Sequence, residues 1–211
     1  MTQRQAYPSL VLRAQGLACG RGGLSLADDM SFTINAGTCL LLRGPNGTGK
    51  TTLLLTLAGI VEPLAGFFAI EGADPEAGPL LHYCGHRNAT KPRLSVAENL
   101  DFWAAVNGGT GDAVETALER VGLGDLATLD AGYLSAGQSR RLALARLLVT
   151  QRPVWLLDEP TAALDTEGHQ LVTDLIDAHL DAGGIAIAAT HDPITLPDSA
   201  RMETLALGKV A

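Results

Sequence analysis

The chain has 211 residues, 46% of them apolar and only 4% aromatic, with a formal net charge of −8. This length suits one α/β domain, with or without a small insert, around a core of Leu, Val, Ile and Ala rather than of rings. An acidic chain gains nothing from counterion release on DNA or RNA, so nucleic acid is not an expected partner.

The N-terminal segment MTQRQAYPSLVLRAQG lacks the apolar run of a signal peptide, and the longest apolar stretch, about residues 53–61, is too short to span a bilayer. The expectation is a cytosolic chain, held at a membrane only through another subunit. Cys19, Cys39 and Cys84 form no C-x-x-C pair and fit free thiols in a reducing compartment. Residues 10–13 and 30–34 read as early strands, and 38–43 as a short buried strand that ends in a Gly-rich loop. A helix follows over 50–57 and stops near Gly59. Strands are expected over 66–70 and 80–83, with Gly72, Pro75, Gly78 and Pro79 punctuating the chain between them.

The middle of the chain changes character. Ser95-x-x-Glu98 is a capping box that opens a helix toward Val106. Asp112-x-x-Glu115 marks a second helix start, running to Val121. Ser135-x-x-Gln138 is another capping box and opens a helix through Leu148. This helical block, about 95–150, interrupts an alternation of strands and helices and reads as an inserted subdomain. Beyond it come a strand at 153–157, a helix at 166–180, and strands at 185–189 and 202–207.

Gly44-Pro45-Asn46-Gly47-Thr48-Gly49-Lys50-Thr51, followed by Thr52, satisfies G-x-x-x-x-G-K-[ST] between a predicted strand and a predicted helix. The glycines let backbone N–H groups turn inward around phosphate oxygens, and the helix points its positive end at the same anion. Lys50 is placed to reach the β- and γ-phosphates of a nucleoside triphosphate, and the Thr51 hydroxyl to ligate Mg²⁺. Downstream, the apolar strand Val154-Trp-Leu-Leu ends in Asp158-Glu159. Asp158 is the candidate Mg²⁺ ligand, and Glu159 the candidate general base or water-orienting group. Together the two motifs predict a P-loop NTPase. No Asn-Lys-x-Asp base reader of a GTPase is present, and Asp165-x-x-Gly168 follows the strand-end acids instead of supplying them.

Leu134-Ser135-Ala136-Gly137-Gln138 resembles the LSGGQ signature of ABC ATPases, with Ala136 in place of the first glycine of the pair. Ala162-Ala163-Leu164-Asp165 resembles that family's D-loop, and Thr190-His191-Asp192 its switch-histidine loop. The resemblance spans nearly the whole chain. It implies a single α/β domain: a P-loop NTPase (ABC ATPase) core over about 1–94 and 151–211, with an antiparallel β subdomain, and a helical subdomain over about 95–150. It further implies a homodimer with ATP sandwiched head to tail. Ser135, Gly137 and Gln138 would then face the nucleotide held by the other copy, and His191 would hold and sense the γ-phosphate. Two departures stand out. The aromatic that stacks on adenine in that family is missing around Cys19-Gly20-Arg21, where the Arg21 guanidinium is the candidate to stack instead. The Q-loop glutamine is replaced by His86, whose imidazole can accept a bond from a Mg²⁺-bound water.

The string LHYCGHRNATKPRLSVAENLDFW, with LSAGQ and WLLDEPTAALD, resembles the heme-exporter ATPases of c-type cytochrome maturation. That resemblance implies integral membrane permease subunits as partners at the cytoplasmic face of a bacterial inner membrane, with ATP hydrolysis driving heme handling. His82, Cys84 and His86 are expected to alternate along one strand, but no C-x-x-C-H motif accompanies them and direct heme binding by this chain is not expected. Arg87, Lys91 and Arg93 are either a solvated loop or the rim of a groove for a membrane subunit, and Phe102 and Trp103 either line that groove or pack inside; Leu100 is assigned to the core. The competing readings are an ABC ATPase for another substrate, a soluble ABC ATPase acting on DNA or ribosomes, and a non-hydrolysing regulator. Acidity and the lack of a coiled-coil insert argue against the second; Lys50, Glu159 and Ser135 argue against the third.

Overall fold

The structure, a computed structural model, describes residues 7–22, 24–74, 76 and 78–208. The chain divides into two compact units. The first comprises Met1–Tyr83, Pro153–Glu159 and Thr173–Ala211; the second, Cys84–Arg152 and Pro160–Val172.

In the first unit, β1 (Val11–Arg21), β2 (Leu24–Asn35) and β4 (Ala65–Glu71) form an antiparallel sheet in the order β2-β1-β4. A second sheet has the order β5-β6-β7-β3-β8, built from β3 (Cys39–Arg43), β5 (Leu81–Cys84), β6 (Val154–Asp158), β7 (Ile185–Ala189) and β8 (Met202–Ala206). Within it β6, β7, β3 and β8 run parallel. Every residue of β6 and β7 is buried, as expected of parallel strands covered on both faces. Helix α1 (Lys50–Leu57) packs against β1, β6 and β7. Leu12, Leu17, Ile34, Leu42, Leu53 and Leu54 share one core with Leu156 and Ile187. Truncating one such Leu to Ala removes about 2–5 kcal/mol. This core fixes the ends of β3, β6 and β7, from which the site loops emerge.

The second unit is helical: α2 (Val96–Val106), α3 (Val114–Arg120) and α4 (Ala136–Ala145), around Val96, Leu100, Leu118, Val121 and Leu142. Helix α5 (Thr166–Asp181) begins in this unit and ends in the first. Buried Asn99 ties the preceding loop to α2: its amide donates to the carbonyls of Lys91, Leu94 and Ser95, and its carbonyl oxygen accepts from the Lys91 N–H. Among the described residues, no helix is long and apolar enough to cross a membrane.

Several boundaries differ from the sequence expectation. β1 and β2 run well past the short strands expected at 10–13 and 30–34, because the glycines that look like breakers sit at irregularities within the ladder. The register shifts between Ala14 and Leu17, where Gly16 takes φ +56°, and again between Cys19 and Gly20. Asp112 does not cap α3. Its carboxylate accepts from the Thr110 hydroxyl, and the helix starts behind Ala113 without a side-chain cap. α4 stops at Ala145 rather than Leu148, because the chain tightens into i→i−3 bonds from Leu147 to Leu144 and from Leu148 to Ala145. β5 ends at Cys84, so His86 lies in the bend beyond it and does not alternate with His82 and Cys84 on one strand. Leu100 is fully buried, whereas Phe102 is 37% exposed.

Candidate functional site

The loop between β3 and α1 is shaped by glycine. A Cβ on Gly44 would lie 2.3 Å from the Leu207 carbonyl oxygen, and Gly44 has φ +148°. Gly49 precedes the helix with φ +93°, and no side chain caps α1. The free N–H groups of the first turn therefore face the loop, the arrangement that receives a phosphate. The Thr48 hydroxyl donates to the Pro45 carbonyl (3.0 Å). The Lys50 ammonium is buried and donates to the Gly44 and Pro45 carbonyls at 2.7 and 3.0 Å. A cation is thus held over the loop without a carboxylate partner in those two bonds.

Asp158 ends β6 and is 3% exposed. The Thr51 hydroxyl bridges both its oxygens, at 3.1 and 3.0 Å. A hydroxyl and a carboxylate brought together are hard oxygen donors of the kind Mg²⁺ takes, so the pair fits the ion. Immediately after Asp158 the backbone turns sharply: Glu159 has φ +50°, a left-handed conformation that costs a non-glycine residue about 1–2 kcal/mol. Its N–H still donates to the Ala189 carbonyl at 2.7 Å, so the strand pairing is kept while the side chain is re-aimed. The Glu159 carboxylate accepts from the His191 N–H at 3.3 Å, and the His191 ring nitrogen Nε2 lies 3.6 Å from its other oxygen. The same Nε2 is 2.7 Å from Asn46 Oδ1. The first unit therefore gathers Lys50, Thr51, Asp158, Glu159, His191 and Asn46 at the ends of β3, β6 and β7.

Arg21 is exposed at the end of β1, next to Leu24, which is 73% exposed. Two residues on, Leu26 lies against Gly49: a Cβ on that glycine would come within 3.0 Å of the Leu26 Cβ. The end of the β1–β2 hairpin thus borders the phosphate loop. All three cysteines are buried and free. Burial, helped by Asp28, pushes the Cys19 thiol up to about 11, and burial alone takes Cys39 to about 12, so neither is a ready nucleophile.

In the second unit, Ser135 caps α4 in a complete capping box. Its hydroxyl oxygen accepts from the Gln138 N–H (3.2 Å), and Gln138 Oε1 accepts from the Ser135 N–H (2.9 Å). Gln138 is thereby turned back on its own helix, and the Ser135 O–H keeps its proton available for an outside acceptor. Ser135, Gly137, Gln138, Arg141, Ala163 and Asp165 line a cavity of 540 Å³. Gly137 packs so close to the neighbouring loop that a Cβ would lie 3.0 Å from the Ala163 carbonyl; Ala163 itself has φ +63°. The Gly168 N–H, and then Arg141, hold the Asp165 carboxyl below its usual range. His86 is exposed in its bend.

Two arginines outside the motifs, and an asparagine inside one of them, organise these loops. Arg140, 2% exposed, donates to the carbonyls of Gly85 (2.8 Å) and Pro160 (3.2 Å) and to Asn88 Oδ1 (3.1 Å). It joins α4 to the loops that carry Gly85, Asn88 and Pro160. Asn46, expected as part of the phosphate loop, is also the partner of His191. Arg43 also contacts the His191 loop. A long cation beside each motif was the available signal, and it is a common feature of surfaces.

A family model described as "ABC transporter" matches residues 27–162. The chain is 50% identical over 200 residues to a Rhizobium johnstonii protein named cytochrome c biogenesis ATP-binding export protein CcmA, covering 91% of this chain and 93% of that one. It is 54% identical over 182 residues to the Ruegeria pomeroyi protein of the same name, covering 86% and 85%. Among solved structures, a putative ABC transporter ATP-binding protein from Pyrococcus furiosus superposes with TM-score 0.79 at 26% identity, over 92% of this chain and 97% of that one. An ATP-binding cassette solved as a dimer in a post-hydrolysis state, bound to ADP and Pi, superposes with TM-score 0.75 at 22% identity, over 86% and 88%.

Proposed function

This chain belongs to the ABC transporter family, alongside the cytochrome c biogenesis ATP-binding export proteins, and we propose that it is the ATPase subunit that couples ATP hydrolysis to heme handling in c-type cytochrome maturation. The observation that carries the catalytic half is the convergence of Glu159, His191 and Asn46 beside the phosphate loop, with Thr51 and Asp158 paired next to them.

The reading assigns each residue a task. Backbone N–H groups of 44–51 and the Lys50 ammonium take the β- and γ-phosphate oxygens of ATP. Thr51 and Asp158 would hold Mg²⁺, which when bound offsets phosphate charge. Glu159, aimed by its left-handed backbone, accepts a proton from the attacking water as its oxygen bonds to the γ-phosphorus. The bond to the bridging oxygen breaks, leaving ADP and phosphate. The His191 ring holds the γ-phosphate in place of its bond to Asn46. His86, exposed beyond β5, is read as the Q-loop side chain, contributing through a bound water.

Ser135 and Gly137 act on a second copy. Their helix start offers an O–H and backbone N–H groups to an anion, which supports a head-to-tail dimer closed by two ATP molecules. The chain is read as a single ABC ATPase domain in which about 95–150 is the helical subdomain. Its further partners are integral membrane permease subunits, and its place is peripheral, at the cytoplasmic face of a bacterial inner membrane. The near-50% identity to export proteins of cytochrome c biogenesis supports that assignment.

The test is a heme-stained gel of membrane and periplasmic proteins from cells carrying only Glu159→Gln. Loss of covalent heme on c-type cytochromes, with the variant still expressed, supports the pathway. Normal staining rejects it and leaves an ABC ATPase for another substrate.

A further inference from the structure

We infer that Arg43 is a positioning residue for ATP hydrolysis: it clamps the loop that carries His191 onto the strand that carries the phosphate loop. The inference rests on the role given to His191 above.

Arg43 is the last residue of β3, immediately before Gly44. Its Nη1 donates to the Thr190 carbonyl at 2.8 Å and to the Asp192 carbonyl at 3.1 Å. These carbonyls flank His191 on both sides. On its other side the Arg43 backbone carbonyl accepts from the Leu207 N–H at 2.7 Å, so the residue is anchored to β8 while its side chain reaches past the end of β7. The loop is compact in its own right: the Asp192 N–H donates to the Thr190 hydroxyl at 3.1 Å. What that internal bond does not set is where the loop sits relative to the phosphate loop. The two bonds from Arg43 tie it to the residue that precedes the phosphate loop.

The chemistry explains why the residue is arginine. Thr190 is 1% exposed, so its carbonyl is served from within the protein, and the Arg43 guanidinium supplies a donor. A planar guanidinium nitrogen carries two hydrogens in fixed directions and can serve two carbonyls at once. With the flanks held, the His191 ring meets Asn46 of the phosphate loop and its N–H meets Glu159. A shift of the phosphate loop is thereby passed through β3 and Arg43 to the switch loop. Displacing the loop by an ångström misplaces the histidine and leaves the phosphate cradle intact, which costs turnover rather than affinity.

The experiment is a double-mutant cycle on the full chain, captured with its membrane partners from detergent-solubilised membranes in which the wild-type chain turns over ATP. Arg43→Met should lower kcat about tenfold or more with KM for ATP within about threefold. Arg43→Lys should recover part of kcat, because it keeps the donor but not the two-carbonyl geometry. In a His191→Ala background Arg43→Met should lower kcat no further, because its effect passes through that histidine. If Arg43→Met does not fold, Arg43→Lys takes its place in the cycle. Additive losses, or a rise in KM that matches the fall in kcat/KM, overturn the clamp while leaving the site assignment standing. If His191→Ala alone leaves kcat unchanged, the histidine assignment fails and the clamp fails with it.

Discussion

Acid should weaken this fold through one buried histidine. His179, near the end of α5, is 4% exposed. Its ring stacks on Trp155 of β6 at 3.9 Å and 11°, meets Tyr7 edge-on at 5.3 Å, and donates from Nε2 to the Ile185 carbonyl at 3.2 Å. Burial lowers its pKa from 6.5 to about 4; the carbonyls of Ile185 and Pro153 oppose that shift and His82 adds to it. The folded pKa lies below the unfolded one, so between those values the unfolded chain binds the proton and the folded chain does not. Stability attributable to the neutral ring is therefore complete above about pH 6.5 and falls as pH drops toward 4, by at most 1.36 kcal/mol per unit. From pH 7 to pH 5 the loss is roughly 2 kcal/mol. The assay is urea unfolding of the wild type and of His179→Gln, which keeps a polar donor but does not titrate. The variant should be less stable at pH 7 and lose about 2 kcal/mol less on going to pH 5. Parallel pH profiles for the two proteins would refute the reasoning, because carboxylates common to both cannot produce the difference.

Four further outcomes follow from the site. Lys50→Ala should abolish nucleotide binding and turnover, read by titration with a fluorescent ATP analogue and by phosphate release. Glu159→Gln should bind ATP, hydrolyse it at least 100-fold more slowly, and run as a dimer with ATP on size exclusion; a monomer under those conditions contradicts the sandwich as stated for this chain. Ser135→Arg should block hydrolysis while ATP binding to a single copy stays within a few-fold, so full activity removes its assigned role. Gly44→Ala places a Cβ 2.3 Å from the Leu207 carbonyl at a backbone angle alanine resists. It should cost about 2–4 kcal/mol in thermal or urea unfolding and weaken ATP binding with it.

The motifs were legible because each is a contiguous string whose conformation is local. Gly44 to Thr51 makes its loop from its own backbone, and Ser95-x-x-Glu98 and Ser135-x-x-Gln138 form the capping boxes their spacing predicts. The buried runs 154–157 and 185–189 announced covered strands by their unbroken apolar character. Elements whose form depends on distant partners were read less well. The long β1 and β2 ladders absorb glycines as irregularities only because each strand pairs along the other.

Which residues meet was settled only by tertiary structure. Thr51 and Asp158 are 107 positions apart, and Asn46 and His191 are 145 apart, yet each pair is joined by a hydrogen bond. Nothing in the chain's periodicity marks Arg43 or Arg140, since an arginine is ordinary in any sequence and becomes an organiser only when strand ends and loops present it with carbonyls. The sequence by itself determined a glycine-shaped loop ahead of α1, two acids at a strand end and a capping box on α4, because those properties follow from backbone conformations that neighbouring residues impose. The alignment of β3, β6 and β7 in one sheet decided that lysine, acids and histidine converge, because parallel strands end at a common edge only once a shared core has set their register.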